Sequence, residues 1–293
     1  MSSPASPDAT ADADNDATRS SCHIGPHVAG AGRPLLVIAG PCVLEDASTN
    51  ARIGATVRDA CAVLGLPYVF KASFDKANRS SIHSKRGPGL RAGLAELARL
   101  RRVLGVPVTT DIHEPGQAAP AAEVADCLQI PAFLCRQTDL LAAAAGTGRA
   151  VNVKKGQFMA PAEMANVVAK LEEGGCRDIM LTERGTFFGY HRLVNDFTGL
   201  GDLMELGRPV CFDVTHSTQL PGGAATATAG RPERAALLAR AAVAAGVHAV
   251  FIECHPDPAR SFSDAATVQP LGLIAELLGT LAALRAAVAT RAG

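Results

Sequence analysis

The chain has 293 residues, with 28 basic and 28 acidic side chains that leave no net charge. That length suits one large domain or two small ones, and the neutral balance excludes nucleic acid and an anionic membrane as the main partner. No uninterrupted apolar run approaches the roughly 18 residues of a spanning helix, and the eight dispersed cysteines form no secreted disulfide framework, so a cytoplasmic protein is expected.

The chain opens on an Ala/Ser/Asp-rich stretch, with Asp8, Asp12, Asp14 and Asp16 against a lone Arg19. It lacks the basic start, the apolar stretch and the arginine-rich character of targeting peptides. Together with the Gly-rich segment that follows, it is read as a disordered acidic leader over 1–33, leaving 34–293 as a single catalytic domain. From there short apolar runs alternate with helical spacing. Strands are predicted at 35–39, 68–71, 106–111, 127–130, 150–154, 178–182, 210–214 and 249–253, and helices at 50–64, 91–104, 161–173, 231–245 and 272–289. Trp is absent and aromatics make up only 4%, so the core must be Ala, Val, Leu and Ile, as parallel strands covered by helices prefer. Repeated strand–helix alternation predicts an α/β fold, a single-domain (β/α)8 TIM barrel. A doubly wound open sheet is the alternative, weakened because no Gly-x-Gly-x-x-Gly follows the first strand.

A TIM barrel gathers its chemistry at the C-terminal ends of its strands. The first strand runs into Cys42 and Glu45, and the second ends in Lys71 and leads to Lys76, Asn78, Arg79 and Ser80. The third ends in Asp111 and His113, the fourth carries Gln129 and leads to Arg136, and the fifth ends in Asn152 and Lys154. The sixth leads to Glu183 and Arg184, the seventh to Asp213 and His216, and the eighth to Glu253, His255 and then Asp264. Two constellations emerge. Lys71, Lys76, Arg79, Arg136, Lys154 and Arg184 supply more cations than a single phosphate or carboxylate needs. Some of them are expected to make structural ion pairs with Asp75, Asp139 or Glu183. Cys42, His216, Glu253 and Asp264 offer a thiolate, an imidazole and two carboxylates, a set suited to Zn²⁺, Fe²⁺ or Mn²⁺. His113, His191 and His255 compete for the imidazole place, and Lys71 or Lys154 could instead form an imine with a carbonyl substrate.

Five stretches carry a resemblance: Phe70-Lys71-Ala72-Ser73-Phe74-Asp75-Lys76-Ala77-Asn78-Arg79-Ser80-Ser81, Leu134-Cys135-Arg136-Gln137-Thr138-Asp139-Leu140, Val153-Lys154-Lys155-Gly156-Gln157-Phe158, Phe212-Asp213-Val214-Thr215-His216-Ser217 and Glu253-Cys254-His255-Pro256. Over about residues 36–271 the chain resembles the 3-deoxy-D-manno-octulosonate 8-phosphate (KDO-8-phosphate) synthases. Related DAHP synthases usually carry a Lys-Pro-Arg-Thr type segment where this chain has Ala77-Asn78-Arg79-Ser80. The resemblance implies a transferase that condenses phosphoenolpyruvate with D-arabinose 5-phosphate and water, giving 3-deoxy-D-manno-octulosonate 8-phosphate and phosphate. It implies that Lys71, Lys76, Gln129, Lys154, Arg184 and His216 hold phosphoenolpyruvate, and that Asn78, Arg79, Ser80 and Asp111 hold the pentose phosphate. Arg136 would reach the pentose phosphate of a neighbouring subunit in a homotetramer. One branch of the family has Asn at the position of Cys42 and needs no metal. The other has Cys there and binds a divalent ion through residues matching Cys42, His216, Glu253 and Asp264. Cys42 aligns this chain with the metal-dependent branch, and His216, Lys154 and Asp264 are the expected catalytic residues. The acidic leader and the run Ala266-Thr267-Val268-Gln269 depart from the family pattern. A DAHP synthase using erythrose 4-phosphate and a catalytically silent phosphosugar-binding barrel are the alternatives.

Overall fold

The computed structural model describes residues 20–79, 83–223 and 229–289. Eight parallel strands form the centre: β1 (Leu36–Gly40), β2 (Tyr68–Lys71), β3 (Val108–Asp111), β4 (Cys127–Ile130), β5 (Ala150–Lys154), β6 (Ile179–Glu183), β7 (Val210–Asp213) and β8 (Ala249–His255). Each pairs with the next, and β8 returns to β1 with Ala249 opposite Leu36 and Glu253 opposite Gly40, which closes the sheet. Each strand is followed by a helix: α1 (Ala47–Leu64), α2 (Leu90–Leu104), α3 (Ala118–Ala122), α4 (Thr138–Ala145), α5 (Met164–Glu173), α6 (Phe197–Met204), α7 (Ala235–Ala244) and α8 (Ile274–Ala289). The architecture is the (β/α)8 barrel that the alternation predicts.

Burial on both faces explains why the strands read as continuous apolar runs. Outward positions such as Val37 and Phe70 pack under the helices, against Ile53 and Val57 of α1 and Leu97 and Leu100 of α2. Inward positions fill the lower barrel with Leu36, Ile38, Val69, Cys127, Ala150, Met180, Cys211 and Phe251. One strand period further up, the same direction carries Lys71, Gln129, Asn152, Asp213 and Glu253, all buried. Strand parity thus converts an apolar plug into a polar floor within two residues.

Local chemistry moves some boundaries. α1 begins at Ala47 rather than at residue 50, because the Asp46 carboxylate caps the amides of Ser48 and Thr49 at 3.0 and 2.9 Å. The helices predicted from 161, 231 and 272 each open instead with a 3₁₀ turn, Pro161–Glu163, Pro232–Arg234 and Leu271–Leu273.

The leader expected over 1–33 needs a correction at its end. Ser21–Ile24 pairs antiparallel with His27–Gly30. Cys22, Ile24 and Ala29 are fully buried in the lower barrel core. Asp178, just before β6, accepts from the His23 amide at 2.7 Å and lies 2.8 Å from its ring, and Arg285 of α8 donates to the carbonyls of Gly30 and Arg33. A barrel with an apolar lower interior needs a cover, and the alternating small apolar side chains of this hairpin supply it. Residues 1–19 of the expected leader lie outside the described residues. At the other end, Leu271–Val288 is long and apolar enough to cross a membrane by length and composition, although no such stretch was expected. Glu276 and Arg285 interrupt it, and Ile274, Leu278 and Leu281 are buried as α8 packs between α7 and α1.

Candidate active site

At the top of β1 the chain passes very close to β2: a Cβ on Gly40 would lie 2.0 Å from the Lys71 carbonyl oxygen, so only glycine fits. This approach sets Cys42 beside the end of β2. The Lys71 ammonium donates to the Cys42 carbonyl at 3.1 Å and to Glu253 Oε1 at 2.8 Å. The Cys42 thiol donates to Asp264 Oδ2 at 3.0 Å. One donor atom each from Cys42, Glu253 and Asp264 lies within 4.8 Å of the others. His216 adjoins this trio, with Nε2 3.6 Å from Glu253 Oε2. The four side chains, remote in sequence, therefore meet at one rim.

The imidazole is oriented by Asp213, whose Oδ2 lies 2.8 Å from His216 Nδ1 and whose Oδ1 accepts from the His216 amide at 2.8 Å. Burial alone would raise the Asp213 carboxyl, but the adjacent His216 and Lys154 hold it well below its ordinary range. An ionised carboxylate only accepts, so Nδ1 carries a proton, and the ring edge at Nε2 is turned towards Glu253. Glu253 itself has a buried Oε2 without a hydrogen-bond partner. Burial would raise its carboxyl, yet Lys71, His216 and Lys76 bring it down to about 2. At Cys42, burial pushes the thiol up, and Glu253 and Asp264 add to the shift. Two ionised carboxylates, one with an unpartnered oxygen, an imidazole nitrogen and a neutral thiol are a donor set for a divalent ion, whose binding would expel the thiol proton.

Asp264 follows β8 in a loop and takes a left-handed backbone, φ 52°. Its Oδ2 also accepts from Ser263 Oγ at 2.7 Å and its Oδ1 from Gln219 Nε2 at 2.8 Å. Burial opposes ionisation here as well, but His216 and Lys76 keep the carboxyl well below its usual range.

Beside this cluster opens a cavity of about 690 Å³. Lys71, Lys76, Asn78 and Arg79 line it from the side of β2, with Asp111 and Gln129 from β3 and β4. Lys154, Arg184, His216 and Asp264 complete the wall. Lys154 donates to Asp213 Oδ2 at 2.6 Å and lies 3.7 Å from the centre of the Phe251 ring. Asp111 accepts from Ser73 and Gln129 and stands 3.7 Å from Lys76. Burial draws the Arg184 guanidinium below its ordinary value. Its Nη2 donates to Gln219 Oε1 at 2.6 Å, whereas its buried Nη1 has no partner. A buried guanidinium in a cavity wall, not neutralised by a direct carboxylate bond among the described residues, suits an anion.

The expected ion pairs of these cations fall elsewhere. Asp75 is held by Arg86 at 2.8 Å, and Glu183 lies 3.6 Å from Lys155. Lys71 and Lys154 pair instead with Glu253 and Asp213, which engages the ammonium groups and disfavours the imine reading. Among the competing histidines, His113 lines the cavity, His255 bonds the Asp257 backbone, and His191 sits on the surface beside the Pro221 carbonyl. Arg136 is exposed and absent from the cavity wall. Ser80 lies outside the described residues.

Residues 10–289 match the model of the DAHP synthetase I family. The chain is 56% identical over 248 residues to a protein of Nitratidesulfovibrio vulgaris, a match covering 85% of this chain and 91% of that one. It is 53% identical over 260 residues to one of Cyanothece sp., covering 89% and 95%, and 52% identical over 259 residues to one of Desulfotalea psychrophila, covering 88% and 92%. All three relatives are named 2-dehydro-3-deoxyphosphooctonate aldolase, another name for KDO-8-phosphate synthase. The chain belongs to this aldolase family. The resemblance carried by the five motifs is therefore borne out.

In this member of the 2-dehydro-3-deoxyphosphooctonate aldolase family, not every group at the rim is legible in sequence. The sequence marks Asp213 as a strand end within a family motif, and its spacing of three to His216 is the signal of a paired carboxylate and imidazole. Gln219 and Phe251 carry no signal, because their importance comes from neighbours distant in the chain.

Proposed function

We infer that the protein condenses phosphoenolpyruvate with D-arabinose 5-phosphate and water to give 3-deoxy-D-manno-octulosonate 8-phosphate and inorganic phosphate. The observation that carries this reading is the convergence of Lys71, Lys76, Arg79, Lys154 and Arg184 on one cavity beside the Cys42, Glu253 and Asp264 cluster. Two phosphorylated substrates need that many cations, and a simple phosphosugar sensor has no use for the acidic cluster. Lys71, Lys76, Gln129, Lys154, Arg184 and His216 would hold phosphoenolpyruvate, and Asn78, Arg79, Ser80 and Asp111 the pentose phosphate. Holding the enol carbon C3 against the aldehyde carbon is the largest contribution these side chains make. As the C3–C1 bond forms, positive charge grows at C2 and negative charge on the aldehyde oxygen. The site then needs an anionic or water-rich side for C2 and an acid or Lewis acid for the aldehyde oxygen, and the carboxylates and cations lining the cavity offer both kinds of group. Water adds at C2 and loses one proton while the aldehyde oxygen gains one; the C2–oxygen bond to phosphate then breaks, and the C2 hydroxyl proton leaves with the phosphate to give the ketone.

Cys42, His216, Glu253 and Asp264 would hold a divalent ion, Zn²⁺, Fe²⁺ or Mn²⁺. Such an ion supplies Lewis-acid polarisation and orientation of an oxygen ligand. The Glu253 Oε2, unpartnered among the described residues, and the His216 Nε2 3.6 Å from it support this. A homotetramer in which Arg136 reaches a neighbour's pentose phosphate is supported by the exposed Phe158, Phe187 and Phe188 in the segments that follow β5 and β6. A cytoplasmic location is supported by eight buried free cysteines, one of which must stay reduced to bind an ion.

The test is phosphate release from phosphoenolpyruvate with each of two aldose phosphates. Arabinose 5-phosphate is expected to support turnover and erythrose 4-phosphate to give little. The reverse preference would make the protein a DAHP synthase, and tight binding without release would make it a sensor.

A further inference from the structure

Gln219 joins the two halves of the rim. Its Oε1 accepts from Arg184 Nη2 at 2.6 Å and its Nε2 donates to Asp264 Oδ1 at 2.8 Å. One amide thus holds a guanidinium on the substrate side and a carboxylate on the ion side, and both of its polar ends are committed. The backbone around it is fixed as well. Gln219–Leu220 pairs with Ala229–Gly230 in a short antiparallel ribbon. The ribbon lies on the loop that carries Asp264: a Cβ on Gly230 would sit 2.6 Å from the Ala266 carbonyl oxygen and 2.2 Å from Thr267 Cγ2, so glycine is needed for that approach.

The place of Arg184 in the cavity wall gives the bridge a consequence. With Nη2 held by Gln219, the plane of the guanidinium is set by the amide. An anion in the cavity that engages this guanidinium therefore locks Arg184, and through the amide it locks Asp264. Asp264 in turn occupies a strained left-handed backbone, so its carboxylate direction depends on the donors around it. We propose that Gln219 is a positioning residue that couples phosphoenolpyruvate binding at Arg184 to divalent-ion binding at Asp264. Each ligand bears the ordering cost of the bridge for the other, so each tightens the other by the same factor. This rests on the proposed roles of Arg184 and Asp264.

The experiment is a Mn²⁺ titration of the ion-stripped full-length protein, with and without phosphoenolpyruvate, followed by the free-ion signal. The wild type is expected to bind Mn²⁺ about tenfold or more tightly when phosphoenolpyruvate is present. Gln219→Met keeps the volume and loses both bonds. It should weaken Mn²⁺ about tenfold and cut the coupling factor to less than about a third, since only the direct attraction of opposite charges is left. Gln219→Glu can still accept from Arg184 but repels Asp264, so it should bind phosphoenolpyruvate nearly as the wild type does and lose Mn²⁺. A merely structural role would lower both affinities and leave the coupling factor unchanged in both variants, which would overturn the proposal. If the wild type binds both ligands independently, the bridge alone fails. If it binds no Mn²⁺ in any condition, the ion reading fails first and takes the bridge with it.

Discussion

One carboxylate, Asp213, serves two working groups: it accepts from Lys154 and fixes the His216 tautomer. Asp213→Asn brings an amide that can donate to Nδ1 and so move the ring proton to Nε2, at the edge turned towards Glu253. The expected outcome is a loss of about 10–100-fold in kcat or ion affinity with the fold intact, measured by steady-state kinetics and ion titration. Cys42 gives a prediction in pH. Burial holds its thiol protonated in the absence of an ion, and an ion must displace that proton. Cobalt(II) affinity, read from the thiolate-to-cobalt absorption band, should therefore rise with pH by up to about tenfold per unit. Cys42→Ser should abolish the band. At this scale the sequence was partly legible. Cys42, Glu253 and Asp264 stand out singly by nothing in the sequence; the family resemblance groups them, and the fold brings their donor atoms within 4.8 Å. Gln219 was not legible, because a glutamine reveals a role only when both partners are in place, 35 residues behind it and 45 ahead.

At the level of elements, the site depends on how closely β1 and β2 approach. Gly40→Ala would place a methyl group against the Lys71 carbonyl oxygen. The strands must part, and with them Cys42 and the Lys71 ammonium. The expected cost is about 1–3 kcal/mol of stability, read from urea midpoints, with a larger fall in activity than in stability. Most elements could be read from their apolar period, and β2, β4 and β5 coincide with the predicted spans. Burial of both strand faces removes the alternation that would mark a sheet face, so the polar floor was legible only through the residues that end each run. The ribbon of Gln219–Leu220 and Ala229–Gly230 is too short for periodicity to register.

For the molecule as a whole, the lower end of the barrel sets the response to acid. His248 precedes β8, and its Nδ1 accepts from the Val210 amide at 3.0 Å. Burial, with Arg285 nearby, lowers the ring to about 4, against about 6.5 in an unfolded chain. Between these values the unfolded chain binds a proton that the folded chain refuses. The contribution of His248 to stability is therefore complete above pH 6.5 and is lost as pH drops towards 4, by about 1–3 kcal/mol after allowance for partial exposure. His248→Asn keeps an acceptor and should flatten that part of the profile in urea titrations. The hairpin that covers the same end was hidden in sequence by its Gly-rich setting, which resembles a linker until the uncovered barrel interior is in view.

The most direct measurement is phosphate release from phosphoenolpyruvate and arabinose 5-phosphate by ion-stripped protein, before and after Mn²⁺ is added. The expected result is no turnover without the ion, and turnover that returns as Mn²⁺ saturates the site formed by Cys42, His216, Glu253 and Asp264. Full turnover in the stripped protein would contradict it.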